Sequence, residues 1–228
     1  MTNRYHKFLN LSDCIPNVDF SHLDTDGYRW VEFHKTLKLT ELNNPKFLNL
    51  LHSLKMTSYW IEVFYTPPKE DGVIHSDNTE SKDWAKIVFQ YGAKESTMRW
   101  WTSDKTFNLS TSLDQISKDE IPEMEKISTK DRTTDHYHGR ILVSYEKDAK
   151  LEYEAEIGSA SLVNVGPLHS SHNPTDEKRF VITVALFDFD GNRILWDDAL
   201  ERLSPYIEER SIFQNTKKLK NINCMQLI

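Results

Sequence analysis

The apolar positions of this chain change period partway along, and that change divides it into regions. After Asn44-Pro45, the residues Phe47, Leu48, Leu51 and Leu54 recur at helical spacing, with asparagine suited to cap a helix and proline to open it, which predicts a helix of about three turns. From Thr57 onward the pattern becomes that of strands. Thr57–Tyr65 is dense in β-formers and stops at Pro67-Pro68; Trp84–Tyr91 and Thr97–Thr102 follow, and the Gly92 to Glu95 segment between them predicts a hairpin with Trp100 and Trp101 on opposite faces. Ile141–Tyr145, Leu151–Ile157, Ser161–Val165 and Arg179–Phe187 are further strands. In the second of these, Leu151, Tyr153, Ala155 and Ile157 alternate with Glu152, Glu154 and Glu156, so the glutamates mark a solvated face. A turn at Asp188–Gly191 leads to a short amphipathic helix, Trp196–Leu203, ended by Pro205. Residues 1–40 show no sustained period, and 103–139 are polar without strand character, the composition of a disordered connection or a functional lid.

Composition narrows the picture in three places. With 228 residues the chain is long enough to bury a substantial core, and one domain is the expectation; 6 Trp, 9 Tyr and 11 Phe offset a modest apolar share. The net charge of -7 disfavours a nucleic-acid substrate, since no overall positive field is available to attract phosphates. Cys14 and Cys224 have no ligand spacing and read as reduced thiols, while neither a signal-peptide pattern nor a membrane-length apolar run is present, so a cytoplasmic protein without membrane attachment is expected.

Against this background one ordered set of residues carries chemistry. His75 and Asp77 lie two apart, so an extended backbone presents imidazole and carboxylate on one face. A third ligand from another strand, with His169 the leading candidate, completes a set of two histidines and one carboxylate that leaves open positions on iron. Arg179 follows, and a guanidinium holds a carboxylate through two parallel hydrogen bonds. Asp135, His136 and His138 could form a second metal cluster but read better as a solvated loop. There is no glycine-rich phosphate loop, CxxC pair or internal repeat.

The order His75-x-Asp77, His169, Arg179 resembles the iron(II)- and 2-oxoglutarate-dependent dioxygenase superfamily, in its small, bacteriophage-type members. Leu162-Val163-Asn164, Pro167-Leu168-His169, Asn173-Pro174-Thr175 and Arg179 to Thr183 match the wording of its last strands, over roughly residues 57–190. This resemblance implies a mainly β double-stranded β-helix, a cupin-like jelly roll with flanking helices. Residues 1–56 would supply N-terminal flanking helices and strands, 57–190 the core, and 191–228 a C-terminal helix and tail. It further implies Fe(II) on His75, Asp77 and His169, and 2-oxoglutarate held by Arg179 with help from Thr183. No catalytic residue beyond the metal ligands is implied. The spacing to Arg179 favours His169 over the rival His172. The activity implied is hydroxylation by dioxygen of an amino-acid side chain or small molecule, releasing succinate and CO2, in the cytoplasm of the producing cell or, for a phage protein, of its host. Two other readings keep the fold: a non-catalytic jelly-roll binding module, and a metal-dependent cupin enzyme that does not use 2-oxoglutarate. The primary substrate and the oligomeric state are not legible.

Overall fold

A computed structural model describes residues 3–21, 34–37, 42, 44–59, 61–78, 80, 82–110 and 140–208. Among them the strands are β1 (His6–Phe8), β2 (His34–Leu37), β3 (Ile61–Thr66), β4 (Glu70–Asp71), β5 (Ile74–Ser76), β6 (Ala85–Tyr91), β7 (Thr97–Ser103), β8 (Phe107–Ser110), β9 (Arg140–Ser144), β10 (Ala149–Glu156), β11 (Ala160–Asn164), β12 (His169–Asn173) and β13 (Arg179–Ala185); the helices are α1 (Pro45–Ser53) and α2 (Trp196–Leu203). The strands form two antiparallel sheets. The first has the order β1-β11-β6-β13-β3-β2, and the second β10-β7-β12-β5-β9-β8, with β4 also on β12. The chain crosses between sheets at β3 to β4, β5 to β6, β6 to β7, and each step from β10 to β13. Two facing sheets threaded in this way form a double-stranded β-helix, a jelly-roll architecture, as expected.

The first sheet is buried on both faces. Its outer side chains, among them Ile61, Val63, Ile87, Phe89, Leu162, Ile182 and Val184, pack with Phe47, Leu50 and Leu51 of α1 and Trp196, Ala199 and Leu203 of α2. Its inner face brings Val88, Val163 and Val181 against Met98, Trp100, Ala155 and Ile157 of the second sheet. Such double burial explains why these strands read as nearly continuous apolar runs. α1 starts where the sequence places it, with the Asn44 side chain accepting from the Phe47 amide at 3.0 Å.

Three expectations change. Trp84–Tyr91 and Thr97–Thr102 do not form a hairpin: β6 pairs with β11 and β13, whereas β7 pairs with β10 and β12 in the other sheet. The connection is a corner between sheets, with Gly92 and Ala93 at positive φ, and a corner uses the same turn residues as a hairpin. Leu151 faces outward because a register shift between Leu151 and Tyr153 inserts one residue; Leu151 stands opposite Trp101, and Tyr153 opposite the inward Trp100. The polar stretch after residue 103 contains β8, which pairs with β9. The N-terminal region, whose sequence shows no clear period, contributes β1 and β2 to the edges of the first sheet. Residues 22–33, 60, 111–139 and 209–228, including Asp135, His136, His138 and Cys224, lie outside the described residues.

Candidate metal centre

β12 lies between β5 and β7 and sets His169 directly opposite His75 across one ladder. Asp77 follows the end of β5, its amide donating to the Val165 carbonyl at 3.1 Å. The Ser76 hydroxyl lies 2.6 Å from the Gly166 carbonyl, so the strand carrying two candidate ligands is stitched to the loop that delivers the third. Gly166 permits this approach, because a Cβ there would stand 2.1 Å from the Lys82 carbonyl oxygen. Asn164 closes the same corner, accepting from the Gly166 amide and donating to Asp83.

These connections gather one ligand atom each from His75, Asp77 and His169 within 4.8 Å of one another. Asp77 Oδ1 lies 3.5 Å from His75 Nε2 and 3.7 Å from His169 Nε2, and the two rings are 4.5 Å apart. In each histidine Nδ1 lies 2.9 Å from a backbone carbonyl, of Val73 and Pro167 respectively. A carbonyl only accepts, so it fixes the proton on Nδ1 and leaves the Nε2 lone pair directed at the shared space. Burial and the neighbouring His75 push His169 down to about 4, which keeps it neutral at pH 7. Burial opposes the charge on Asp77, but the Lys86 ammonium and both imidazoles outweigh it and hold the carboxyl well below the usual range. Two imidazole lone pairs and one carboxylate on one side of the space suit a divalent metal with open positions.

His172 does not join this group. Three residues beyond His169, it points to the opposite face of β12, where its Nδ1 meets the Asp71 carboxylate beside Arg99. Trp100 and Trp101 divide as expected. Trp100 is fully buried between the sheets and donates to the Asn164 carbonyl at 2.8 Å, whereas Trp101 donates outward to Ser170 at 2.9 Å.

Arg179 opens β13 on its inner face, the face shared with Val181 and Thr183. The residue is 3% exposed, and among the described residues its guanidinium reaches only neutral side-chain partners, Gln90 Oε1 and Thr66 Oγ1, each at 3.3 Å. Among the described residues no carboxylate lies within ion-pair distance of it, and burial alone pushes its pKa down to about 10. The turn before it is held by Asn173, whose side chain donates to Pro67 and Glu177 carbonyls and accepts from Thr175. Thr183 has a different partner from the one expected, since its hydroxyl donates to Glu62 Oε2 at 3.2 Å.

Two buried charges at the site escaped the sequence reading. Lys86 of β6 and Glu62 of β3 are 7% and 1% exposed, and Lys86 Nζ lies 2.9 Å from Glu62 Oε2 and 2.6 Å from Asp77 Oδ2. Burial opposes the lysine charge, yet Asp77 and Glu62 together raise its pKa. Their only sequence signal was parity, Lys86 sharing a face with Val88, and Glu62 with Phe64.

Fold and site together define a double-stranded β-helix protein with a candidate metal centre between its sheets. No protein-family model matches this chain, and no curated protein matches it. Among solved structures, AviO1 from Streptomyces viridochromogenes Tue57 is 12% identical with a TM-score of 0.34, over 67% of this chain and 62% of that one, so the chain spans less than two thirds of AviO1. EvdO2 from Micromonospora carbonacea var. aurantiaca, complexed with 2-oxoglutarate, is 11% identical with a TM-score of 0.29 over 69% of this chain and 67% of that one. A protein with a double-stranded beta-helix domain from Klebsiella pneumoniae subsp. pneumoniae MGH 78578 is 7% identical with a TM-score of 0.25, over 60% and 68%. Likenesses of this size carry no argument about ligand or reaction; the fold assignment rests on the sheet topology itself.

Proposed function

We propose that this protein is an iron(II)- and 2-oxoglutarate-dependent dioxygenase that hydroxylates an amino-acid side chain or a small molecule. The observation that carries this reading is Arg179: a buried guanidinium on the inner face between the sheets, with no carboxylate partner among the described residues. Burying an uncompensated charge is costly, and a structural arginine would be expected to pair with a carboxylate of a neighbouring strand. A ligand that brings its own carboxylate resolves that cost through two charge-assisted hydrogen bonds.

In this reading His75 and His169 offer Nε2 and Asp77 offers Oδ1 to iron, while Arg179 receives the distal carboxylate of 2-oxoglutarate. Iron held there would supply oxidative decarboxylation of 2-oxoglutarate by dioxygen to succinate and CO2, coupled to hydroxylation of a C–H bond. The chain's own residues orient and shield. The backbone carbonyls of Val73 and Pro167 hold the imidazole tautomers, and Trp100 with its apolar neighbours excludes water from the space between the sheets. Thr183 acts on Glu62 and leaves the co-substrate to Arg179.

The test is anaerobic titration of the Fe(II)-loaded protein with 2-oxoglutarate, followed by a screen for compounds that stimulate succinate release in air. A charge-transfer absorbance that requires both iron and 2-oxoglutarate is expected, and is lost in His169→Ala. Iron binding without any 2-oxoglutarate binding would turn the assignment to a metal-dependent cupin enzyme, and binding of neither to a non-catalytic module.

A further inference from the structure

We propose that Lys86 is a positioning residue which confines Asp77 to ligation through one oxygen and so preserves an open position on the metal. This inference rests on the metal centre proposed above. The two oxygens of Asp77 have separate roles in the structure. Oδ1 faces the Nε2 atoms of His75 and His169, at 3.5 and 3.7 Å, whereas Oδ2 is 2.6 Å from Lys86 Nζ. Lys86 cannot simply swing away, because its ammonium is also 2.9 Å from Glu62 Oε2, and Glu62 in turn accepts from Thr183 at 3.2 Å. Lysine, glutamate and threonine all belong to the first sheet, on β6, β3 and β13, whereas the Asp77 they steady follows β5 of the second. The chain of contacts therefore bridges the sheets at the site.

A carboxylate beside a divalent ion is free to use one oxygen or both. A second oxygen from Asp77 would occupy a position that a chelating co-substrate and dioxygen need. Lys86 removes that option by holding Oδ2 in a close buried ion pair, 2.6 Å from Nζ. This arrangement has an electrostatic consequence as well: the ammonium repels the metal, so it weakens cation affinity in return for the open position.

Mn(II) is a suitable probe, because water-proton relaxation reads how many exchanging waters it carries. The comparison is wild type against Lys86→Met and against Lys86→Met/Glu62→Gln. In the double variant the site keeps the same summed charge, and the side-chain amide oxygen introduced by Glu62→Gln still accepts from Thr183. The wild-type ion is expected to carry three exchanging waters, and the double variant two, lowering relaxivity by roughly a third for a six-coordinate ion. Mn(II) affinity is expected to be maintained in the double variant and to rise about tenfold in Lys86→Met, whereas a purely structural lysine would lower both affinities. Unchanged relaxivity in a folded variant overturns the proposal. Should neither variant fold, the wild-type water count decides alone, and two waters on it would mean that Asp77 already chelates. Mn(II) binding that survives His75→Ala would instead refute the metal centre itself, a result distinct from either water count.

Discussion

Arg179→Met is expected to make the ligand-free protein more stable and the ligand-saturated protein less stable, a reversal that only a ligand-binding arginine produces. The guanidinium is pushed from 12.5 to about 10 by burial, which at about 1.4 kcal/mol per tenfold disfavours its charged form by about 3 kcal/mol. That cost is present throughout the range below about 10, where the group is charged in the folded and unfolded states alike. Methionine removes it, while the loss of two long hydrogen bonds at 3.3 Å and a small loss of volume return part of the gain. Gln90 Nε2 keeps its bond to Ala93 and Thr66 its contact with Ser171, while Gln90 Oε1 loses its donor and returns a further part of the gain. A net stabilisation of about 1–2 kcal/mol follows, within the range seen when buried charges give way to apolar groups. With Mn(II) as a redox-silent metal and 2-oxoglutarate at a hundred times its dissociation constant, wild type should gain about 2.7 kcal/mol, and a variant binding a hundredfold more weakly only about 0.4 kcal/mol. Urea titrations followed by tryptophan fluorescence, each with and without 2-oxoglutarate, measure all four states. Arg179→Lys keeps the charge without the fork and should bind about ten- to a hundredfold more weakly. If Arg179→Met instead destabilised the ligand-free protein by more than about 2 kcal/mol, or kept the full gain from 2-oxoglutarate, the arginine would be a structural tie and the clamp would be refuted.

Three further outcomes are expected. In anaerobic equilibrium dialysis His75→Ala should lose most Fe(II) affinity, while His172→Ala, altered on the opposite face of β12, should retain it; the reverse pattern would transfer the ligand role. Without metal, stability should fall by up to about 3 kcal/mol between pH 6.5 and 4, because the unfolded chain protonates this histidine near 6.5 whereas burial, with His75, holds His169 neutral down to about 4; the effect is absent at higher pH, and a His169→Gln protein with an undiminished slope in urea melts would exclude this source. Gly166→Ala places a methyl 2.1 Å from the Lys82 carbonyl oxygen and should cost about 1–3 kcal/mol with a parallel loss of Mn(II) affinity; wild-type values of both would show that the corner yields freely.

The candidate ligands were legible because strand parity and loop chemistry leave marks in a sequence. His75 and Asp77 are two apart and do share a side of the site, while His169 arrives through a Gly-Pro turn whose glycine has a steric reason. The same parity separates His169 from His172, and it is a firmer discriminator than spacing to Arg179, since three residues along a strand reverse the face. Parity failed at Glu152, where the extra residue turns Leu151 out into solvent. It also gave no account of sheet membership. A turn of Gly92 and Ala93 reverses the chain whether the next strand joins its predecessor or the sheet opposite, and only partners distant in sequence decide between them.

Lys86 and Glu62 were hidden for a related reason. In a sheet with one solvated face, a charged residue at an apolar parity position stands out, because polar and apolar residues alternate. The first sheet has no solvated face along β6: Ile87 and Phe89 meet the helices, and Val88 meets the second sheet. Alternation is therefore replaced by an apolar run, and the lone lysine reads as an outward residue near a strand end. The three-dimensional pairing removes that ambiguity. Thr183 of β13 lies opposite both Glu62 of β3 and Val88 of β6, which sets Glu62 within reach of Lys86 across the intervening strand. A buried lysine held by two carboxylates is conformationally confined, and one of those carboxylates belongs to the candidate metal centre. Charge placed at such cost between two apolar sheets fixes the orientation of Asp77, a task that an apolar replacement of the pair could not perform.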